Sequence, residues 1–153
     1  MASLAGCHFE AVYKNKNIIS ELCSIEIDNI KPTAQIHEVT FKNELQYILC
    51  DKNLINIKYK LNWKIERYFK ELIKSESNFT RRHEETLLVT FNLTEKSNGN
   101  VIYTDNIISK GAYNILEDEI ITTKASKESL NSDVALNAAR LVLDKIYLFI
   151  RKK

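Results

Sequence analysis

The chain has 153 residues, enough for one domain of ordinary size and short for two. Hydrophobic residues make up 44% and charged residues 27%, and only three glycines and one proline are present, which excludes disordered, linker-rich and collagen-like classes. Twenty-two basic side chains against 20 acidic ones give a net charge of +2, too balanced to imply a polyanionic partner by itself.

The first residues carry the most specific local signal. The run Leu-Ala-Gly-Cys at residues 4–7 resembles the lipobox of bacterial lipoproteins, in which cleavage before the cysteine leaves its thiol to be diacylated. The charged and apolar regions of a signal sequence do not precede it, so we expect the natural chain to begin further upstream. A chance match is the alternative. The sequence predicts a tether over residues 1–20 with a lipidated Cys7, then a single domain over residues 21–153.

A short strand and an amphipathic helix are predicted next. Alternation over Leu22–Asp28 indicates the strand, and Asn29 and Pro32 end it. Thr33 is predicted to cap a helix that continues to about Cys50. Its apolar residues recur at three- and four-residue spacing, as expected of a helix with one buried face: Ile36, Val39, Phe41, Leu45, Ile48 and Leu49.

Two longer strands follow, each with one buried and one wet face. Asn56–Phe69 alternates between apolar and polar residues, with the apolar face ending in Trp63 and Ile65. Thr86–Thr94 alternates in the same way, after a polar stretch over Ser75–His83 that is predicted to be a loop.

A hairpin, a last strand and a last helix complete the fold. Asn98-Gly99 favours a type I′ turn, and the strand is expected over Val101–Tyr113 with a bulge near Asp105-Asn106. A helix is predicted from Lys124 to Arg151. The order β-α-β-β-β-α predicts an α/β fold, an α+β two-layer sandwich with two helices on one face of a four-stranded mixed sheet. The first strand should run parallel to the second because a helix connects them.

The three cysteines, Cys7, Cys23 and Cys50, lack the spacing of zinc or thioredoxin-like sites. The predicted topology returns the end of the first helix to the start of the first strand, which places Cys50 near Cys23. We therefore expect a disulfide between these two in an oxidising periplasm. In a reducing compartment, buried free thiols are the alternative.

No motif of a catalytic class is present. The sequence lacks nucleophile-elbow, zinc-protease, P-loop and Rossmann patterns, and three glycines leave little for a phosphate-binding loop. The three histidines lie in different predicted elements, and the acidic run Glu117–Glu119 is predicted to be a solvated turn. We expect neither an enzyme nor a bound metal or cofactor.

Two binding interpretations remain, and the first is an RNA-binding module. The α-β-β-β-α order from the first helix onward resembles a double-stranded-RNA-binding domain, and Lys124–Lys127 resembles the basic turn with which that family contacts phosphates. Against it, the first strand is surplus and the elements are too long. Glu128 and Asp133 also dilute the positive charge where phosphates would bind. We therefore do not expect a nucleic acid partner.

The second interpretation starts from the lipobox and from segments spread along the chain. These segments are Cys7-His8-Phe9 with Tyr13, Asn43-Glu44-Leu45, the turn Ser97–Val101, Tyr113–Leu116 and Ala138–Leu141. Through them the chain, from about Gly6 to Ile150, resembles the lipopolysaccharide-assembly lipoprotein (LptE) family of Gram-negative bacteria, especially its shorter, divergent branch. It departs from that family at His8, where glycine is usual, and at Ala11-Val12, where Pro-Leu is usual.

The resemblance implies a non-enzymatic role at the outer membrane. Such lipoproteins are anchored to its periplasmic face through an acylated cysteine, here Cys7, and plug the barrel of LptD, with which they insert lipopolysaccharide into the outer leaflet. His8, and not Asp, follows the cysteine, which permits sorting to the outer membrane. A barrel lumen is polar, and the Thr, Asn and Lys faces of the predicted strands suit it. A generic periplasmic lipoprotein of the same fold is the alternative.

Lipopolysaccharide carries phosphates and acidic sugars, which arginine and lysine bind. Arg81 and Arg82, in the predicted loop between the second and third strands, form the only arginine pair of the sequence. We expect them to contact lipopolysaccharide, with Lys96 in the hairpin and Lys110 as weaker candidates. The alternative for the arginine pair is a solvated loop.

Overall fold

The computed structural model describes residues 16–30, 32–49, 56–74, 80–116 and 120–152. Seven elements follow one another along the chain: α1 (Lys16–Leu22), β1 (Ile25–Ile27), α2 (Ile36–Ile48), β2 (Tyr59–Lys74), β3 (Thr80–Glu95), β4 (Val101–Leu116) and α3 (Ile120–Lys152). From β1 onward this is the predicted β-α-β-β-β-α order. The helix α1 is absent from the prediction, since seven residues are too few to show a helical period.

The four strands form one mixed sheet in the order β1-β2-β3-β4. β1 pairs with β2 in parallel, and the two remaining pairs are antiparallel. The predicted crossover through α2 is therefore confirmed. With α2 and α3 packed on one face of this sheet, the predicted two-layer α+β class is confirmed as well.

The second and third strands continue beyond their predicted ends. β3 begins at Thr80 and not at Thr86, so Arg81 and Arg82 lie within the strand instead of in the predicted loop. Their Cα partners in β2 are Lys74 and Ile73. Alternation in polarity fails here because charged residues occupy consecutive positions of β3, while the backbone pairing with β2 continues regardless of side-chain type.

Three local predictions are wrong. Pairing across Asp105-Asn106 is continuous, and the register of the β3–β4 pair shifts between Leu93 and Thr94 instead. Gln35, not Thr33, caps α2, in a capping box where the backbone N–H of Gln35 donates to Oε2 of Glu38 at 2.7 Å. The last helix also begins four residues earlier than predicted, at Ile120.

The core lies between the sheet and the two long helices. Odd-numbered residues of β2, β3 and β4 face it, as the alternation predicts for β2 and β3. The residues that are buried in this layer include Leu61, Leu87, Val89, Phe91, Leu93, Phe41, Leu45, Val142 and Ile146. Trp63 packs on Phe41 with ring centroids 5.0 Å apart. Ala135, Ala138 and Ala139 are buried on α3, and their short side chains let the helix approach the sheet closely.

The predictions for the N-terminal residues and the cysteines fall partly outside the described residues. Cys23 is disulfide-bonded. The other two cysteines, Cys7 and Cys50, lie outside the described residues, so the predicted pairing of Cys23 with Cys50 and the lipidation of Cys7 stay predictions. Helix α1 spans the predicted boundary between tether and domain, and Leu22 at its end packs against the core. None of the described helices has the length and apolar character needed to cross a membrane.

Candidate functional site

The sheet has one face that no described element covers. Even-numbered residues of β2, β3 and β4 project from it, and most are polar. At its centre the side-chain amide of Asn62 donates to Oδ1 of Asn92 at 2.9 Å and to Oγ1 of Thr94 at 3.1 Å. We call this surface the uncovered face.

The structure does not bring the four predicted lipopolysaccharide contacts together. Lys96 lies in the β3–β4 turn, where its Nζ is 2.7 Å from Oε2 of Glu26. Arg82 lies at the other end of β3, fourteen residues away, which at about 3.3 Å per residue is roughly 45 Å. No single headgroup spans that distance, so Lys96 is separate from the rest.

Arg82 and Lys110 do share one region of the uncovered face, and Lys70 joins them. Lys70 pairs across the sheet with Glu84, and Lys110 lies two residues from the partner of Glu84 on β4. Nζ of Lys110 is 3.4 Å from Oε1 of Glu84. Arg82 and Lys70 are exposed and form no ion pair among the described residues. We call Lys70, Arg82 and Lys110 the cationic end of the uncovered face.

The cationic end has the composition of an anion-binding surface. Three cations surround one carboxylate, which leaves an excess of two positive charges. Tyr68 and Ile108 lie beside it with about half of their surface exposed, 52% and 55%. Cations next to exposed apolar side chains can bind a molecule that carries both phosphate and hydrocarbon. Arg81 occupies the neighbouring register position in β3.

A buried ion pair lies on the opposite side of the sheet at the same level. Nε of Arg67 is 2.7 Å from Oε1 of Glu85, whose side chain is fully buried. Nη2 of Arg67 donates to Oδ1 of Asn131 at 2.7 Å, and its guanidinium lies 4.3 Å from the ring centroid of Phe69. These contacts join β2, β3 and α3, and they hold the strands that carry the cationic end.

His37 approaches the same ion pair from α2. It is buried, and burial lowers its pKa, with the nearby Arg67 guanidinium acting in the same direction against the weaker opposing effects of Glu38 and Glu85. Tyr113 of β4 closes the cluster, and burial together with Glu85 raises its pKa. The cluster therefore holds a neutral imidazole next to a buried charge pair.

This cluster is not among the predicted sites, although the sequence contains a signal for it. Positions 67 and 85 are odd-numbered, so they continue the inward faces of Tyr59–Ile65 and Leu87–Leu93. One of the two paired strands thus carries a positive residue on its inward face, and the other carries a negative one. This is the pattern expected of a buried ion pair. Within the described ranges, no three His, Cys, Asp or Glu residues are grouped so that they could hold a metal ion.

Comparison with known proteins places the fold. No family model and no curated protein matches the sequence. A predicted lipoprotein from Caulobacter crescentus CB15 superposes with a TM-score of 0.69 at 18% identity, and the match covers 90% of this chain and 98% of that one.

Two further lipoproteins share the architecture. A minor lipoprotein from Acinetobacter baumannii gives a TM-score of 0.50 at 19% identity, with 81% of this chain and 88% of that chain covered. Rare lipoprotein B from Shewanella oneidensis gives a TM-score of 0.52 at 9% identity, with 84% of this chain and 96% of that chain covered. At such low identities the likeness establishes the fold, which this chain therefore shares with lipoproteins from three bacteria.

Replacing Arg67 by Met should destabilise the domain, because it leaves the carboxylate of Glu85 buried without its cation. We expect a loss of about 3 kcal/mol in the free energy of unfolding, the lower end for buried pairs, since Arg67 is 21% exposed. Urea denaturation measures it. The double variant Arg67→Met/Glu85→Met should recover most of the loss, and a double variant as unstable as the single one would contradict this explanation.

The stability of the domain should fall as the pH is lowered from about 7.5 to 5. Because the pKa of His37 is lower in the folded than in the unfolded chain, the unfolded chain binds more protons once the pH drops below about 6.5. Each unit by which the pKa of His37 differs between the folded and the unfolded chain changes the free energy of unfolding by about 1.4 kcal/mol. Urea denaturation at several pH values in this range should show that the free energy of unfolding of His37→Gln depends less steeply on pH than that of wild type. A His83→Gln control should retain the contribution of His37, and identical slopes in wild type and His37→Gln would refute it.

Proposed function

We propose that this chain is a lipoprotein of the LptE family. Anchored through Cys7 to the periplasmic face of the outer membrane, it sits in an LptD-type barrel and assists insertion of lipopolysaccharide into the outer leaflet. The observation that carries the proposal is the fold, because solved structures of lipoproteins share it, rare lipoprotein B among them. The Leu-Ala-Gly-Cys run at residues 4–7 supports the anchor independently of the fold.

The uncovered face supports a position inside a wet barrel. A plug needs a compact core together with a polar exterior that can exchange hydrogen bonds with the polar lumen wall. Asn62, Asn92 and Thr94 supply such an exterior, since their side chains already form a hydrogen-bonded group at the surface. Leu61 and Leu93, which alternate with them on the same strands, are fully buried on the other side.

The cationic end supports a direct contact with lipopolysaccharide. Arg82 and Lys70 are free of carboxylate partners among the described residues and can each bind a phosphate oxygen. Lys110 contributes less, because Glu84 lies 3.4 Å away. Lys96 is neutralised by Glu26 at the opposite end of the sheet and is not part of this contact.

Co-purification from membranes tests the proposed partner. We expect the natural chain, expressed with a C-terminal affinity tag in its own Gram-negative host, to carry fatty acid on Cys7 and to co-purify with an LptD-type barrel after detergent extraction. A tagged, unrelated lipoprotein is the control. An acylated chain recovered without a barrel would leave a generic periplasmic lipoprotein. An unacylated chain that fractionates with ribosomes would instead favour the RNA-binding interpretation.

Charge reversal at the arginine pair tests the lipopolysaccharide contact. The double variant Arg81→Glu/Arg82→Glu should bind purified lipopolysaccharide at least tenfold more weakly, since hydrogen bonds to charged groups contribute about 1.5–3 kcal/mol and about 1.4 kcal/mol corresponds to a factor of ten. Fluorescence titration measures the affinity, and circular dichroism checks the fold. Arg151→Glu/Lys152→Glu makes the same change of charge at an exposed basic pair at the end of α3 and should bind as wild type does. Equal affinity of the two double variants would refute the contact.

A further inference from the structure

The outer edge of β4 has no neighbouring strand among the described residues, because the sheet order ends there. The N–H of Glu95 donates to the carbonyl oxygen of Asn100, so the odd-numbered residues of β3 are those that bond β4. The register pairs them with odd-numbered residues of β4. The even-numbered residues of β4 therefore direct their N–H and C=O groups outward. Another strand would meet such a donor and acceptor about every 6.8 Å.

The half of this edge near the β3–β4 hairpin is protected by a charged side-chain cluster, and we call it the closed half. Oδ1 of Asp105 accepts the outward N–H of Asn106 at 2.8 Å. Oδ2 of Asp105 accepts the hydroxyl of Tyr103 at 2.8 Å and lies 3.0 Å from Nζ of Lys145. A charged cluster of this kind is a common protection of an edge strand.

The other half of the edge, residues 108–114, borders a groove between β4 and the first half of α3. The groove is lined by Ala112 and Asn114 of β4 and by Ala125, Ser126, Ser129 and Asp133 of α3, among others. These side chains are short, which leaves room for an extended backbone beside the strand. At Gly111 the helix lies so close that an added Cβ would be 2.5 Å from Cδ1 of Leu130 and 2.7 Å from Cγ2 of Val134. Helix α3, which forms one wall of the groove, is therefore held close to β4.

We propose that this half of β4 is a strand-addition site, where an extended segment of a partner polypeptide lies in the groove as a fifth strand. The outward N–H and C=O groups of Ala112 and Asn114 would bind its backbone, as in other recognition modes that extend a sheet. Asp133, which is exposed and has no ion pair among the described residues, would bind a lysine or arginine of that segment. The site is independent of the lipopolysaccharide contact and of the barrel.

The occupant is a partner segment and not a second copy of this chain. Pairing of two copies through this half of β4 would bring both Lys110 side chains into one small region. A separate segment brings no second Lys110, and a basic residue on it would complement Asp133, the charged residue that lines the groove.

The experiment selects ligands from a phage-displayed library of random decapeptides on the full chain. Synthetic versions of the enriched peptides are then titrated by fluorescence anisotropy. Ala112→Pro removes an outward N–H that takes no part in the sheet and should bind at least tenfold more weakly. Thr104→Pro is the matched control, because its N–H also points outward but lies in the closed half, and it should bind within twofold of wild type. Asp133→Lys, a surface change on α3, should weaken binding at least tenfold.

Enriched peptides should carry a basic residue. Methylation of every second backbone nitrogen should abolish binding for the set of nitrogens that faces β4. Circular dichroism should show that Ala112→Pro is folded, while Asp133→Lys tests the same groove without a proline. The proposal is overturned if no peptide is enriched, or if Ala112→Pro and Asp133→Lys both bind as wild type does. It is also overturned if wild type dimerises in light scattering and Ala112→Pro does not, since a second copy would then be the occupant.

Discussion

The structure depends on burial of a single face of the sheet. Each apolar side chain removed from water contributes about 1.5–3 kcal/mol, and the inward residues of β3, among them Leu87, Val89 and Leu93, are fully buried beneath α2 and α3. Because side chains alternate along a strand, this burial leaves the even-numbered residues on the other face in water. The polar uncovered face is therefore a direct consequence of how the core forms.

The ion pair between Arg67 and Glu85 is the exception to an otherwise apolar inner face. Removing two charges from water costs several kcal/mol, and their attraction repays this cost only when the geometry is good and further hydrogen bonds are made. Asn131 supplies one such bond, and Phe69 lies against the guanidinium. The pair thus fixes how α3 sits on the paired strands β2 and β3, at the level where the opposite face carries its cations.

Both proposed binding surfaces meet at the same half of β4. Lys110 belongs to the cationic end through its side chain, while its backbone lies on the open part of the edge. Gly111, the next residue, admits α3 close to the strand. A ligand on the uncovered face and a strand at the edge would therefore contact one short segment from two directions and through different groups. Charged side chains would bind the ligand on the uncovered face, and backbone N–H and C=O groups would bind the added strand.

The sequence by itself determined the order of the main elements, the parallel pairing of β1 with β2 and the inward faces of β2 and β3. These follow from local periodicity and from the handedness of short connections, which act within one or two elements. The extension of β3 back to Thr80 did not follow, because strand pairing there rests on backbone bonds that side-chain polarity does not report. Only the tertiary structure decided which charges are neighbours. It separated Lys96 from Arg82, joined Lys70 to Lys110 and brought Arg67 to Glu85, since such neighbours are set by strand register and helix placement, long-range contacts that no local pattern encodes.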